Sequence, residues 1–235
     1  IIGAYQLFGV GEFAARFWSA ALALGTIVAT YGIGRRLFNP SAAIYAALIL
    51  ATSLMFVLAG RLATVDSLVI FCNTMVAWFF VIGTFAPKTN PADAPILRWE
   101  GNYFPQKTGW IIAIYGMTGL AVLAKGPMGA VIPCSAMALF MLVMPLPPVD
   151  NEQWNSRGWL ARITGAMLRP FAPSHVLTTF WKMRPELAVV TMLIICGPWL
   201  YVVTQQTGWQ WPQQFLWSES SAGVSVTGTA TGGWM

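Results

Sequence analysis

From Trp110 to Ala124 the chain carries no charge; it then meets Lys125, breaks at Gly126-Pro127, and resumes as an apolar run from Met128 to about Met144. Two such runs back to back satisfy their backbone polar groups in lipid only as helices. A lysine at the centre of a membrane helix costs about 2.5–3.5 kcal/mol on the insertion scale, so Lys125 belongs at a helix end near water. Pro127 supplies that end, because it lacks an N–H and disfavours helical backbone in the residue before it. Lys125 is then either an anchor at the headgroups or a cation in a site.

The rest of the chain repeats the pattern. Hydrophobic residues make up 57% of it, charged residues only 9%, and the mean hydropathy is +0.63. Soluble domains hold about 25% charged residues. Repeated apolar runs of membrane length therefore define an all-α, polytopic transmembrane helical bundle, and the period-2 pattern of a membrane barrel is absent. Residues 1–235 read as a single membrane domain. The net charge of +5 is scattered through loops, which speaks of orientation and not of nucleic acid as a partner. Cys72, Cys134 and Cys196 all fall inside apolar runs and read as buried thiols. One histidine and no Cys pair leave no zinc signature, so no metal ligand is assigned. The chain opens at Ile1 inside an apolar piece and reads as a fragment.

Six spans are expected, at about 12–33, 42–59, 68–85, 109–124, 128–144 and 185–204. Asn39-Pro40-Ser41 starts the second, Pro133 falls within the fifth, and Gly60 to Ser67 forms a polar hinge. In the long loop after Pro145, Trp159, Leu160, Ile163 and Met167 share one helical face, with Arg162 and Arg169 roughly opposite. That pattern suits an amphipathic helix on the membrane surface. His175 in the same loop reads as solvated or interfacial. Trp209, Trp211 and Trp217 suit an interfacial belt.

With six spans, the loops on one side hold ten Lys and Arg and those on the other hold three, Arg16, Arg61 and Lys125. The positive-inside rule makes the richer side cytoplasmic. Cations on the poorer side need a partner, and a phosphate or carboxylate is the natural one. Arg61 and Asp66 either pair with each other across the hinge or, for the arginine, reach the headgroups. Asp66 or Thr64 also suits the N-cap of the next span. Glu12 and Arg16, four apart, form a helix-surface pair of structural value. Glu219 joins these outer charges.

Four stretches in order now resemble a known family: Gly9-Val10-Gly11-Glu12-Phe13-Ala14-Ala15-Arg16, Tyr31-Gly32-Ile33-Gly34-Arg35-Arg36-Leu37-Phe38, Gly60-Arg61-Leu62-Ala63-Thr64-Val65-Asp66 and Leu123-Ala124-Lys125-Gly126-Pro127. They are similar to the polyprenyl-phosphate-sugar glycosyltransferases of the GT-C superfamily, among them lipid A aminoarabinose transferases and protein O-mannosyltransferases. The resemblance runs over about residues 1–205. It implies a GT-C type bundle in a membrane, such as the bacterial inner membrane, with its site on the periplasmic or lumenal face. It implies transfer of a pentose or hexose, such as aminoarabinose or mannose, from a polyprenyl-phosphate-linked sugar to a lipid or protein acceptor. Asp66 and Lys125 match catalytic positions, and Lys125 and Arg61 are the phosphate-binding residues it implies. In the family the catalytic acid lies in a first outer loop ahead of a segment like Ile1 to Phe8, so this chain alone is expected to be inactive. Trp217-Ser218-Glu219-Ser220-Ser221 departs from the family's later outer loop, which leaves open the acceptor and a divalent metal as cofactor. A transporter or flippase, or a non-catalytic scaffold, remains the competing class. Against transport, no matched pair of broken helices marks two halves.

Overall fold

The computed structural model describes residues 2–62, 64–88, 90, 97–98, 103–144 and 173–207, and among them the apolar runs form nine helices. These are α1 (Ile2–Phe8), α2 (Glu12–Leu37), α3 (Pro40–Thr52), α4 (Leu54–Arg61), α5 (Asp66–Thr84), α6 (Thr108–Lys125), α7 (Met128–Val143), α8 (Pro173–Lys182) and α9 (Pro185–Thr207). The boundaries follow local chemistry. Asn39 caps α3, its Oδ1 accepting from Ala42 N at 2.7 Å, with Pro40 in the first turn, where a missing N–H costs nothing. Hydroxyls within the spans turn back on their own helices: Thr26, Thr30, Thr74, Thr118 and Thr204 each donate to the carbonyl four residues earlier. In lipid this is the cheapest way to satisfy a hydroxyl.

α5 is the central helix. Gly25 of α2 lies against Phe71, and Gly32, seven residues on, lies against Trp78. Seven residues separate the α5 partners as well, so α2 and α5 run parallel. A Cβ on Gly32 would come within 2.8 Å of the Trp78 ring, so the small residue sets the approach of the two helices. α6 runs antiparallel to α5. The rings of Phe79 and Trp110 sit 6.1 Å apart near one end, and Asp66 meets Lys125 at the other. The buried cluster of Val76, Phe80, Phe85, Phe104, Ile111, Ile114 and Met141 fills the space among α5, α6 and α7. α9 lies along α6, with Ile195 against Gly119 and the Cys196 thiol donating to Gly119 O at 3.5 Å. Leu24, Ile49, Leu193 and Ile194, among many others, stay exposed, as lipid-facing side chains must.

The Tyr115 hydroxyl of α6 donates to Met183 O at 2.5 Å, just before α9, and ties the two helices together. Tyr115→Phe is expected to destabilise the bundle by about 1 kcal/mol, the net worth of one such bond. Thermal unfolding in detergent measures it, and an unchanged midpoint would show the bond to be dispensable.

The six-span expectation needs correction. Four helices, α2, α5, α6 and α9, are long and apolar enough to cross a membrane, and α3 with α4 makes a fifth only as a broken span. That pair bends by 64°. Ser53 between them is extended (φ −65°, ψ 123°), and the Thr52 hydroxyl donates to Leu48 O and Ile49 O at the break. Side chains that bond back in this way compete with the helix ladder and bend it. α7, with Pro133 inside it, has 16 residues. At 1.5 Å per residue that is about 24 Å, short of the ~30 Å hydrocarbon layer. The amphipathic helix expected around Trp159 to Met167, the Trp belt and Glu219 lie outside the described residues. His175 is not simply solvated: it is half-buried on α8, and its Nε2 lies 3.2 Å from Leu142 O, docking α8 on α7. The three cysteines are free, with Cys72 and Cys196 buried.

Candidate functional site

One end of the bundle is built by two helix termini and a tight turn. Asp66 is the first residue of α5, and Lys125 is the last of α6. The antiparallel packing of these helices brings the two side chains together across 59 positions of sequence, with Lys125 Nζ donating to Asp66 Oδ1 at 2.5 Å. Each charge also suits its own helix. A carboxylate is favoured at the positive N-terminal end of a helix dipole, and an ammonium at the negative C-terminal end.

The turn after Lys125 explains why Gly-Pro-Met-Gly follows it. Gly126 ends α6 at φ +69°, a backbone region that other residues enter only under strain. Pro127 then precedes α7 with helical backbone (φ −56°, ψ −28°), so the chain reverses within two residues. Gly129 lies in the first turn of α7, where a Cβ would overlap the Ala121 carbonyl of α6. The glycine therefore lets α7 fold back against the last turn of α6 and holds the base of Lys125 in place. The break at Gly126-Pro127 is legible in the sequence. The role of Gly129 is not, because nothing local announces how close Ala121 comes.

The pair is half-exposed, with 49% of the Lys125 side chain and 48% of the Asp66 side chain open. An ammonium has three donors, and this contact uses one. The other two and the second carboxylate oxygen have no further partner among the described residues. As a contribution to folding, an exposed ion pair is worth about 0–1 kcal/mol. Asp66→Asn is accordingly expected to shift stability by less than about 1 kcal/mol, measured by thermal unfolding in detergent. A larger loss would make the pair a structural clamp.

Asp66 finds its partner away from the hinge. It does not pair with Arg61: its partner is Lys125. It does not cap α5 either. The N-cap is Val65, without a side-chain cap bond, and the Ser67 hydroxyl instead donates back to Thr64 O at 3.1 Å. Arg61 ends α4 at this same end of the bundle and is exposed. Among the described residues it makes no ion pair. Glu12 and Arg16 do form the expected i,i+4 contact, at 3.5 Å and largely exposed. Among the described residues no three His, Cys, Asp or Glu side chains converge to hold a metal ion.

The opposite end has polar features that the sequence patterns did not single out. The Arg36 guanidinium donates through Nε and Nη2 to Phe85 O at 3.2 and 3.0 Å, and Lys88 Nζ donates to Phe38 O at 2.6 Å. Between α5 and α7 runs an apolar groove of about 290 Å³, flanked by Val76, Phe80, Met137 and Phe140, with the side-chain oxygen of Asn73 buried and without a partner among the described residues.

A chain of helices long and apolar enough to cross the membrane repeatedly, with a paired acid and lysine at two helix ends at one end of the bundle, is a multi-pass membrane protein. Its residues 1–91 match the dolichyl-phosphate-mannose-protein mannosyltransferase family. The fold is similar to that of ArnT from Cupriavidus metallidurans, solved bound to undecaprenyl phosphate, with a TM-score of 0.64 and 24% identity over 93% of this chain and 32% of that one. An uncharacterized protein of Aquifex aeolicus (strain VF5) is 29% identical over 143 residues, 59% of this chain and 24% of that protein. The chain thus spans about a quarter to a third of the relatives it matches. Arg61 and Asp66 fall within the family match, whereas Lys125 lies beyond it and joins Asp66 only through the fold.

Proposed function

We propose that this chain serves a membrane glycosyltransferase that moves a pentose or hexose from a polyprenyl-phosphate donor to a lipid or protein acceptor. The observation that carries the reading is the Lys125–Asp66 pair, a half-exposed ammonium fixed at two helix ends beside lipid-facing surface. The GT-C fold, the family match over residues 1–91 and the undecaprenyl phosphate bound by ArnT support it. Arg35, Arg36, Lys88, Arg98 and Lys107 at the other end of the spans, against Arg16, Arg61 and Lys125 at this one, support a site facing the periplasm of a bacterial inner membrane.

In the reaction, the acceptor hydroxyl oxygen attacks the anomeric carbon of the donor. The bond from that carbon to the phosphate oxygen breaks, and polyprenyl phosphate leaves with the electron pair. The hydroxyl proton passes to a general base, the role the family gives to a carboxylate of an outer loop. The leaving phosphate gains charge in the transition state, so a cation already in place lowers the barrier. Lys125 is that cation, Asp66 positions it, and Arg61 at the end of α4 adds positive charge on the same side. The site sits at helix ends because the donor needs lipid for its chain and water for its phosphate.

Undecaprenyl phosphate titrated into the chain in nanodiscs is expected to bind saturably, with the Asp66→Asn variant several-fold weaker, as read by native mass spectrometry. Absence of saturable binding in the wild type would sink the reading. The bent α3–α4 pair is a feature a transporter would share, but it is the one bent pair among the described residues. A midplane transport site built on repeats calls for a matched second.

A further inference from the structure

The basic end of the bundle, away from the Asp66–Lys125 pair, holds a pocket that glycosyl transfer does not use. Its volume is about 420 Å³, and it lies where α2 and α5 end and α3 begins. Arg35, Arg36 and Lys88 border it, and Trp78, Ile82 and Pro87 line its apolar wall. Gly32 keeps the Trp78 ring tight against α2, since a Cβ there would come within 2.8 Å of the ring.

The charges there are not neutralised internally. Arg36 is held by Phe85 O and Lys88 by Phe38 O, the carbonyls that end α5 and α2. Two helix C-termini supply together about one negative charge, against three full positive ones. Arg35 is exposed and makes no hydrogen bond or ion pair among the described residues, so its fork of donors is open. The ion pairs found among the described residues, Glu12–Arg16 and Asp66–Lys125, both lie at the other end. Arg98, whose backbone N–H donates to Thr84 O at 2.8 Å, brings a further cation to the end of α5.

A guanidinium fork matches a phosphate, and an indole wall beside it suits a ligand whose other part is apolar. The pocket lies at the termini of two membrane helices, the depth at which headgroups sit. Basic pockets between helices on the positive side of a membrane protein take phospholipid head groups. We propose that Arg35, Arg36 and Lys88 form a binding site for a phosphate ester, filled by the head group of an anionic phospholipid of the leaflet at the basic end of the bundle. The site is independent of the sugar-transfer reading, because it shares no residue with it.

The test compares retention of phosphatidylglycerol and phosphatidylcholine by the chain released from mixed nanodiscs, read by native mass spectrometry. Thermal unfolding with inorganic phosphate alone forms a second arm. Wild-type protein is expected to keep phosphatidylglycerol in preference, the Arg35→Gln/Lys88→Gln double variant to lose about tenfold of that preference, and Arg35→Lys to keep most of it. That outcome establishes the lipid as the source. If phosphatidylglycerol is not preferred but inorganic phosphate raises the unfolding midpoint of the wild type and not of the double variant, the phosphate site stands with a water-soluble ligand. If neither ligand tells wild type from variant, the proposal is overturned. Should the double variant misfold, Arg35→Gln alone serves, since its side chain makes no internal bond among the described residues.

Discussion

Lys125→Ala is expected to weaken undecaprenyl phosphate binding about 10- to 100-fold, with the protein still inserted and folded. A hydrogen bond to a charged group is worth about 1.5–3 kcal/mol, and 1.4 kcal/mol is a tenfold change in affinity. The expectation of intact folding rests on exposure: half of the Lys125 side chain is open, and its one partner among the described residues is an equally open carboxylate. Removing the lysine frees Asp66 to water and leaves no buried charge behind, so the folding cost stays near that of a surface pair. Where turnover can be followed, the rate should fall further than the affinity, since the leaving phosphate carries more charge in the transition state than in the donor. Lys125→Arg keeps the charge and should retain part of both. Equal lipid binding by wild type, Lys125→Ala and Lys125→Arg would remove Lys125 from the site.

Gly129→Ala should have the larger effect on stability. The added methyl meets the Ala121 carbonyl and the neighbouring backbone, not the far end of a flexible side chain. Backbone in the last turn of a helix cannot swing aside, so α7 must lift away from α6. Overpacking of this kind costs about 1–3 kcal/mol and occasionally more. Because Gly129 lies four residues after Lys125, the same displacement moves the ammonium relative to Asp66. A drop in the unfolding midpoint together with weaker lipid binding is therefore expected. Gly116→Ala is the control: the nearest heavy atom to its Cβ, at the tip of Ile195, is 3.6 Å away, an ordinary contact. Equal midpoints for the two variants would show that α6 and α7 are not held by this approach.

The two expectations separate the parts of the Lys-Gly-Pro-Met-Gly stretch. Lys125 supplies the charge, and the glycines and proline supply the geometry that presents it. Loss of lipid binding without loss of stability points to the charge, and loss of both points to the turn.

Several features of this protein were legible in the chain alone because they depend on near neighbours in sequence. Hydropathy over some twenty residues decides whether a segment crosses lipid, and it marked α2, α5, α6 and α9 to within a few residues. The Gly126-Pro127 break, the Asn39 cap and the Glu12–Arg16 contact follow from backbone and side-chain chemistry within four positions. Placing Asp66 and Lys125 each at a helix end needed no more than that. What joined them was tertiary. Asp66 had Arg61 nearer in sequence, and only the antiparallel packing of α5 on α6 gave it Lys125 instead. The break at Ser53 escaped the hydropathy pattern because the apolar count on either side is unchanged, while the Thr52 hydroxyl and the extended Ser53 backbone decide the bend. The approach of Gly129 to Ala121 and the gathering of Arg35, Arg36 and Lys88 around one pocket came likewise from helix packing. A sequence specifies which segments enter the membrane, because lipid acts on each segment separately. Which charges meet at the helix ends is decided by packing, because that depends on every helix between them.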